Sequence, residues 1–134
     1  MKIDGACHCG RIRYEAEVDP RRTVICHCTN CQTISGAPYR VNVSVLPENF
    51  KLTGKPRIYV KIGGSGLPGN TAFCGHCGAA IYSCRGDDPP FYWLRTGAIR
   101  QRAELVPMAQ GFCDTAMPWA MEGLSDVRVI PTDR

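Results

Sequence analysis

The sequence Ile25-Cys26-His27-Cys28-Thr29-Asn30-Cys31-Gln32 places three cysteines within six residues, as a C-x-C that overlaps a C-x-x-C. Two further cysteine pairs flank this triplet, Cys7-His8-Cys9-Gly10 upstream and Cys74-Gly75-His76-Cys77-Gly78 downstream. Seven of the nine cysteines in the chain therefore have the spacing of metal ligands. A closed structural zinc site takes four protein ligands, and a catalytic zinc site takes three. Seven cysteines thus suit one site of each kind.

The glycines that follow the cysteines divide the seven into two sets. In an extended C-x-C both side chains point to the same side, whereas C-x-x-C requires a tight turn that a glycine with positive φ often completes. Gly10 and Gly78 follow the outer pairs, but Gln32 follows the triplet. We predict that the outer pairs form matching turns around one ion. The predicted ligands of this closed structural site are Cys7, Cys9, Cys74 and Cys77, and those of the open site are Cys26, Cys28 and Cys31.

Three other interpretations of the cysteines remain open from spacing alone. A disulfide framework suits small secreted domains, but residues 1–5 carry no apolar signal segment and the cysteine count is odd. A single zinc site with the triplet as reduced core thiols is a second interpretation, although packing rarely demands three cysteines in six residues. The four-cysteine set could also hold an iron–sulfur cluster.

The three cysteine motifs, C-H-C-G, C-H-C-x-x-C and F-C-x-x-C-G, resemble in order and spacing those of the glutathione-dependent formaldehyde-activating enzyme family, which includes centromere protein V. The connecting sequence is also similar, with Ser35-Gly36-Ala37-Pro38 after the triplet and Gly54-Lys55-Pro56 midway. The resemblance implies a β-tent fold with two zinc ions. It also implies that the outer four cysteines bind structural zinc and that Cys26, Cys28 and Cys31 bind catalytic zinc. The family reaction joins glutathione and formaldehyde to give S-hydroxymethylglutathione, which makes the expected enzyme a carbon–sulfur lyase.

Two segments depart from the family pattern. Members often have a G-x-L-D-D-like segment where this chain has Gly97-Ala98-Ile99-Arg100-Gln101-Arg102. Members also often have a histidine where this chain has Gln110, whereas the later Trp119 is retained. We therefore expect intact metal sites within an altered pocket, so that the substrate could be another thiol or another small carbonyl compound.

The rest of the sequence predicts a mainly β fold, for which the resemblance implies a β-tent of short antiparallel sheets built around the two zinc sites. A length of 134 residues predicts a single domain over residues 1–134, and the 44% apolar content suffices for a small core stapled by metal. Apolar alternation and turn residues predict many short strands. The predicted strands cover residues 11–18, 23–25, 39–45, 50–52, 58–62, 91–95, 105–108 and 127–130, and one helical turn covers residues 29–33.

The predicted chemistry depends on the open site. Zinc with three thiolates has a formal charge of −1 and is a modest activator of water, so we expect its fourth position to bind the glutathione sulfur as a thiolate. His27 is a possible acid or base, but alternation along an extended segment turns it away from the cysteines. Arginine is the natural partner of the two glutathione carboxylates. The candidates are Arg40, Arg95, Arg100 and Arg102.

A second function class is a non-catalytic, zinc-stabilised module that binds nucleic acid or protein. The net charge of +4 is dispersed along the chain, which is weak support for phosphate binding. This alternative would be favoured if His27, Cys84 or Cys113 closed the triplet with a fourth ligand. We therefore expect small-molecule thiol and carbonyl partners rather than nucleic acid. Cysteine-rich composition without a secretion signal favours the cytoplasm, and no apolar run is long enough to span a membrane.

Overall fold

The protein is mainly β. The computed structural model describes residues 1–62, 66–129 and 131. Ten strands are present in this part of the chain: β1 (Lys2–Ala6), β2 (Arg13–Glu17), β3 (Thr23–Cys26), β4 (Arg40–Val45), β5 (Phe50–Thr53), β6 (Arg57–Ile62), β7 (Pro68–Phe73), β8 (Ala80–Arg85), β9 (Tyr92–Arg95) and β10 (Ala109–Gly111). The predicted fold class is thereby confirmed at the level of secondary structure.

The strands form two sheets. The smaller sheet has the order β1-β2-β5, and the larger has the order β10-β3-β4-β9-β8-β7-β6. Neighbouring strands are antiparallel with one exception, because β10 pairs in parallel with β3. The expectation of purely antiparallel sheets is therefore corrected to one antiparallel and one mixed sheet. A parallel pair needs a long crossover connection, which the chain between β3 and β10 supplies.

One apolar core lies between the two sheets. Strand β2 alternates between exposed and buried residues, and Tyr14 and Ala16 are its buried positions. These side chains join a cluster that includes Val43 on β4, Ile81 on β8 and Leu94 on β9. The period of two puts one face of each strand into this core.

Two of the predicted strands are wrong. Residues 105–108 are not in a strand, since Leu105 is buried but Val106 and Met108 are exposed, and pairing begins only at Ala109. Residues 127–129 are also not in a strand, and Val129 is 86% exposed. Ile130, the last residue of that prediction, lies outside the described residues. In both segments apolar residues occur at suitable spacing, but neither segment joins a strand ladder. Met108 makes a single backbone hydrogen bond to Thr23 on β3, and the N–H of Val127 donates to the nearby carbonyl of Leu124.

Two α-helices accompany the sheets. Helix α1 (Thr29–Ser35) extends the predicted helical turn and ends at Gly36, whose φ of 63° is left-handed. Helix α2 (Pro118–Glu122) begins with a proline in its first turn, a position that needs no backbone N–H donor. In the described part of the chain, no helix has the length and apolar character needed to cross a membrane.

Candidate metal clusters and the thiol cavity

The outer cysteine pairs meet as one cluster, which we call the quartet: Cys7, Cys9, Cys74 and Cys77. The first pair lies between β1 and β2 of the smaller sheet, and the second lies between β7 and β8 of the larger sheet. The Sγ atom of Cys9 lies 3.6 Å from that of Cys7 and 3.7 Å from that of Cys74. Tetrahedral zinc with bonds of about 2.3 Å would place its sulfurs about 3.8 Å apart. The quartet therefore has the dimensions of a zinc site.

A glycine closes the backbone turn in each half of the quartet, over three residues in the first half and over four in the second. The N–H of Gly10 donates to the carbonyl of Cys7 at 3.0 Å, and the N–H of Gly78 donates to that of Cys74 at 2.8 Å. The φ angles of the two glycines are 80° and 78°. A side chain at either position would be strained. The positive φ predicted for the glycines is confirmed, and the two turns match in this glycine but not in their length.

The central cysteines form a second cluster, which we call the triplet: Cys26, Cys28 and Cys31. Cys26 ends β3, Cys28 caps the N-terminus of α1, and Cys31 lies in the first turn of that helix. The Cys31 backbone N–H donates to the Cys28 sulfur at 3.3 Å, and the sulfurs of Cys26 and Cys31 are 3.2 Å apart. All three sulfurs lie within 4.8 Å of one another. Among the described residues, no fourth His, Cys, Asp or Glu joins them.

The electrostatics of the quartet favour a cation. Backbone N–H groups of Ala79 and Cys9 donate to the Cys77 sulfur and lower its pKa to about 6. The backbone N–H of Arg11 lowers the pKa of Cys9, but desolvation and the neighbouring thiols outweigh it and raise that pKa to about 11. Thiolates packed this closely oppose one another's ionisation unless a cation shares the site. Four convergent thiols and no disulfide among the nine cysteines suit zinc.

The triplet has the same character. Burial raises the pKa of Cys31, and the sulfurs of Cys28 and Cys26 raise it further. Burial also raises the pKa of Cys28, but hydrogen bonds from Cys31 and Cys26 and the charge of Arg40 leave it lowered overall. One sulfur of the set is thus favoured as a thiolate at the expense of its neighbour. Full ionisation of the three sulfurs again requires a positive ion, and the residues fit zinc with three protein ligands.

His27 points away from the triplet, as alternation predicted. The ring is 1% exposed, packs edge-on against Tyr39, and its Nε2 donates to the side-chain oxygen of Gln110 at 2.9 Å. Gln110, the residue that departs from the family pattern, therefore fixes the ring of His27, which lies between Cys26 and Cys28 in the sequence. Neither residue lines a cavity beside the cysteines.

A cavity of about 640 Å³, which we call the thiol cavity, opens beside the triplet. Cys28 and Cys31 form part of its wall, Phe91 and Trp93 supply aromatic surface, and Cys84 lies buried in it. Its volume is within the range of small-molecule sites. Its basic side chains are Arg40, Lys61 and Arg85. Lys61 and Arg85 were not predicted as site residues, since only the pairing of β6, β7 and β8 brings them to this wall.

The four candidate arginines have different positions. Arg40 lines the thiol cavity, whereas Arg95 is 6% exposed and donates to Asn42 Oδ1 at 2.6 Å. Arg100 is exposed and binds both carboxylate oxygens of Asp4, at 2.6–3.2 Å. Arg102 donates to the carbonyl of Ile99 at 3.2 Å. Among the predicted four, Arg40 alone lines the thiol cavity, whereas the charge of Arg95 interacts with Cys26 and Cys31 from outside its wall.

The remaining predicted residues lie apart from the triplet. Cys113 is exposed and Trp119 is 52% exposed, and neither lines the thiol cavity. A fourth ligand from Cys113 or from His27 is therefore not in place. Cys84 lies in the wall of the cavity, but its sulfur points to the carbonyl of Gly86, 3.5 Å away. The altered segment 97–102 faces a different cavity, described below.

Comparison with known proteins gives three matches. The sequence profile of the glutathione-dependent formaldehyde-activating enzyme family matches residues 2–115. A protein of Halomonas elongata, named provisionally as such an enzyme, is 30% identical over 88 residues, which cover 61% of this chain and 55% of that protein. The chain thus aligns with little more than half of that relative. A crystal structure of a Rhodobacter sphaeroides protein superposes with a TM-score of 0.61 at 18% identity, covering 80% of this chain and 98% of that one. The last match shows a shared fold.

Proposed function

The chain belongs to the glutathione-dependent formaldehyde-activating enzyme family, and on this premise we propose that it is a zinc-dependent carbon–sulfur lyase. Its reaction joins glutathione, or a related thiol, with formaldehyde or another small carbonyl compound to give an S-hydroxymethyl adduct. We further propose that residues 1–134 act as one zinc domain and that the enzyme works in the cytoplasm, where its thiols stay reduced.

One observation carries the proposal: three convergent cysteines with no fourth ligand among the described residues form the wall of a cavity of substrate size. A closed site would leave no position for a substrate, whereas three protein ligands leave one. The quartet offers the contrast within the same chain, because its four cysteines complete a tetrahedral set. We therefore assign structural zinc to the quartet and catalytic zinc to the triplet.

The chemistry asked of the site is modest. The thiol sulfur forms a bond to the carbonyl carbon, the carbon–oxygen double bond becomes single, and the thiol proton ends on the new hydroxyl oxygen. Zinc held by three thiolates supplies a Lewis acid that lowers the pKa of a further thiol. The residues of the cavity hold the thiol beside the small electrophile, and this proximity supplies much of the rate.

The cavity wall also suits an acidic thiol. Arg40, Lys61 and Arg85 give it positive charge, and no aspartate or glutamate is among the described residues that line it. Carboxylates of an incoming tripeptide would be attracted to these side chains. The described wall also holds no histidine, so we propose that solvent delivers the proton to the hydroxyl and that His27 supports the backbone between Cys26 and Cys28.

NMR exchange between glutathione plus formaldehyde and S-hydroxymethylglutathione tests the proposal, with zinc content measured on the same samples. We expect the zinc-loaded protein to accelerate exchange. Cys28→Ser should reduce the zinc content from two ions per chain to one, as the two clusters imply, and should slow exchange by roughly 10–100-fold or more.

Cys113→Ser is the matched control, since it also removes a thiol but from an exposed position outside both clusters. It should retain both zinc ions and full activity. If Cys28→Ser also kept both ions and full activity, the assignment of the triplet would be wrong. Two zinc ions per chain without any acceleration would favour the non-catalytic binding module.

A further inference from the structure

A second and larger cavity, which we call the inter-sheet cavity, has a volume of about 1220 Å³, and none of the described residues in its wall is a cysteine. Strands β1, β2 and β5 contribute one side, and residues 95–98 contribute another. Its wall is strongly basic, with only Asp4 and Glu15 as acids, and Asp4 is bound by Arg100. The basic residues are Arg13, Arg40, Lys51, Arg95, Arg100 and Arg102.

Buried hydrogen-bond donors without partners are concentrated in this wall. Four buried side-chain nitrogen or oxygen atoms lack a partner in the described part of the protein, and three of them belong to residues of the inter-sheet cavity. They are the hydroxyl of Tyr14, Nε of Arg40 and Nη2 of Arg95. Burial raises the pKa of Tyr14, so its hydroxyl keeps its proton. All three groups can therefore donate, and the ligand they suit is an acceptor of hydrogen bonds.

The two arginines also lack a countercharge of their own. Among the described residues the ion pairs are Arg21–Asp19 and Arg100–Asp4, so neither Arg40 nor Arg95 is in one. Arg95 donates through Nη1 only to the neutral oxygens of Asn42, Ser83 and Trp93. Burial and repulsion by Arg40 lower the pKa of Arg95 to about 9. Two guanidinium groups that repel each other, one of them buried, are costly without an anion nearby.

The triplet compensates this charge only in part. A zinc ion with three thiolates has a net charge of −1, and the two guanidinium groups have a charge of +2, so one positive charge remains without a partner. We propose that Arg40 and Arg95 form a carboxylate-binding site in the inter-sheet cavity, and that this site holds one carboxylate of an acidic thiol whose sulfur lies at the triplet. The identity of the thiol rests on the proposed function, whereas the anion site rests on the arginines.

The position of Arg40 links the two cavities. Arg40 and Ile34 line both the thiol cavity and the inter-sheet cavity, and Arg95 lines the second alone. Glutathione has a carboxylate at each end and its thiol in the middle residue. We therefore expect one carboxylate to bind the arginine pair while the sulfur remains beside Cys28. The planar donors of arginine match the two oxygens of a carboxylate. The site would thus select acidic thiols over neutral ones.

Calorimetric titration of the zinc-loaded full chain with S-methylglutathione tests the site, because the blocked sulfur cannot react. We expect Arg40→Gln and Arg95→Gln each to weaken binding by about tenfold or more, as loss of a charge-assisted hydrogen bond implies. Arg22→Gln is the matched control, since it removes the same charge from an exposed residue outside both cavities and should change affinity less than about twofold. The dimethyl ester of S-methylglutathione should bind wild-type protein at least about tenfold more weakly.

A second measurement needs no variant, in case Arg95→Gln fails to fold. In the wild-type protein, the Nε–H resonance of Arg40 should shift on addition of S-methylglutathione and should not shift with the ester. Titration with inorganic phosphate is the remaining measurement. Binding of phosphate at the arginines without binding of S-methylglutathione would overturn the proposal in favour of a free-anion site.

Three further results would also overturn the proposal. They are equal affinity of the ester and the acid, unchanged affinity in both arginine variants, and loss of zinc from Arg95→Gln in proportion to its loss of binding. The last would assign the arginine to metal retention. None of these readouts depends on turnover. A protein that binds S-methylglutathione through the arginines but does not accelerate adduct formation would refute the proposed reaction and leave the carboxylate site standing.

Discussion

Gly5, in the wall of the inter-sheet cavity, lies at a position where there is no room for a side chain. It pairs in register with Tyr14 across β1 and β2. A Cβ atom added at this position would lie 2.3 Å from Cζ of Tyr14 and 2.7 Å from the backbone oxygen of Ala98. The ring could yield only by leaving its contact with Phe50, whose centroid is 5.7 Å away. The absence of a side chain at residue 5 is therefore what seats Tyr14 in the core.

Gly5→Ala should destabilise the protein by about 1–3 kcal/mol or more, because a methyl group would be forced into a filled site. Gly97→Ala is the matched control, since nothing lies within 4 Å of its added Cβ. It should change the free energy of unfolding by less than about 1 kcal/mol. Urea denaturation of the zinc-loaded variants measures both, and equal stability of the two variants would contradict the contact.

Single residues differ in how far the sequence reveals them. The positive φ of Gly10 and of Gly78 was predictable, because each follows a metal-ligand pair and closes its turn. Gly5 lies in no motif, and its constraint comes from Tyr14 and Ala98, which are distant in sequence. The burial of Arg95 was equally hidden, since an arginine at the end of a strand is usually exposed. Tertiary contacts decide both positions.

Elements near the triplet are held by a short C-terminal segment. The N–H of Met108 donates to the carbonyl of Thr23, and the N–H of His27 donates to that of Gly111. From α1, the Gln32 side chain donates to the carbonyls of His27 at 2.8 Å and Thr115 at 2.9 Å. Helix α1 and the segment 108–115 thus brace the loop that carries the triplet.

Gln32→Leu should loosen this brace, because it removes two hydrogen bonds worth about 0.5–1.5 kcal/mol each. Amide hydrogen exchange should accelerate roughly tenfold at His27 and Met108, and should remain unchanged at Gly78 in the quartet. Ser35→Ala, on the same helix, is the control, since its hydroxyl is exposed and its contacts are 3.4 and 3.5 Å long. Unchanged exchange at His27 in Gln32→Leu would show that β10 pairing alone holds the segment.

The strands that the sequence predicts correctly are those that pair with a neighbouring strand in the structure. Strands β4, β6 and β9 were predicted nearly to their bounds because alternation and turn residues coincide there. Strand β1 was missed, since Lys2, Asp4 and Gly5 mask its pattern. The predicted strand at residues 105–108 is wrong although Leu105 is buried, because the single backbone hydrogen bond from Met108 to Thr23 does not extend the β3–β10 ladder before Ala109. The sequence pattern indicates which segments can adopt an extended conformation, but not which of them pair with the edge of a sheet.

At the scale of the whole molecule, the two clusters have different mechanical roles. The quartet joins the smaller sheet to the larger one, whereas the triplet spans only the end of β3, the loop after it and the first turn of α1. The grouping of the four quartet cysteines was predictable from their spacing and from the glycines that follow them. The bridging role was not predictable, because it depends on which sheet each strand pair enters.

Cys9→Ser should therefore lower stability more than Cys28→Ser. Binding of structural zinc contributes directly to the free energy of folding, and loss of a quartet ligand should cost several kcal/mol. Loss of a triplet ligand should cost less, because β3, β4 and α1 are held by other contacts. Thermal unfolding of the two variants at equal zinc concentration compares them. An equal or larger loss in Cys28→Ser would show that the triplet, not the quartet, staples the fold.

The separation of the quartet halves has a consequence for biosynthesis. Cys9 and Cys74 are 65 positions apart, whereas the triplet closes within residues 26–31. The ribosome releases Cys31 well before Cys77, and at about 5–20 residues per second this interval is about 2–9 s. During that time the nascent chain offers a complete three-thiol site beside only half of the other. The triplet can therefore bind metal first, while Cys7 and Cys9 remain an open thiol pair until Cys74 and Cys77 have been synthesised.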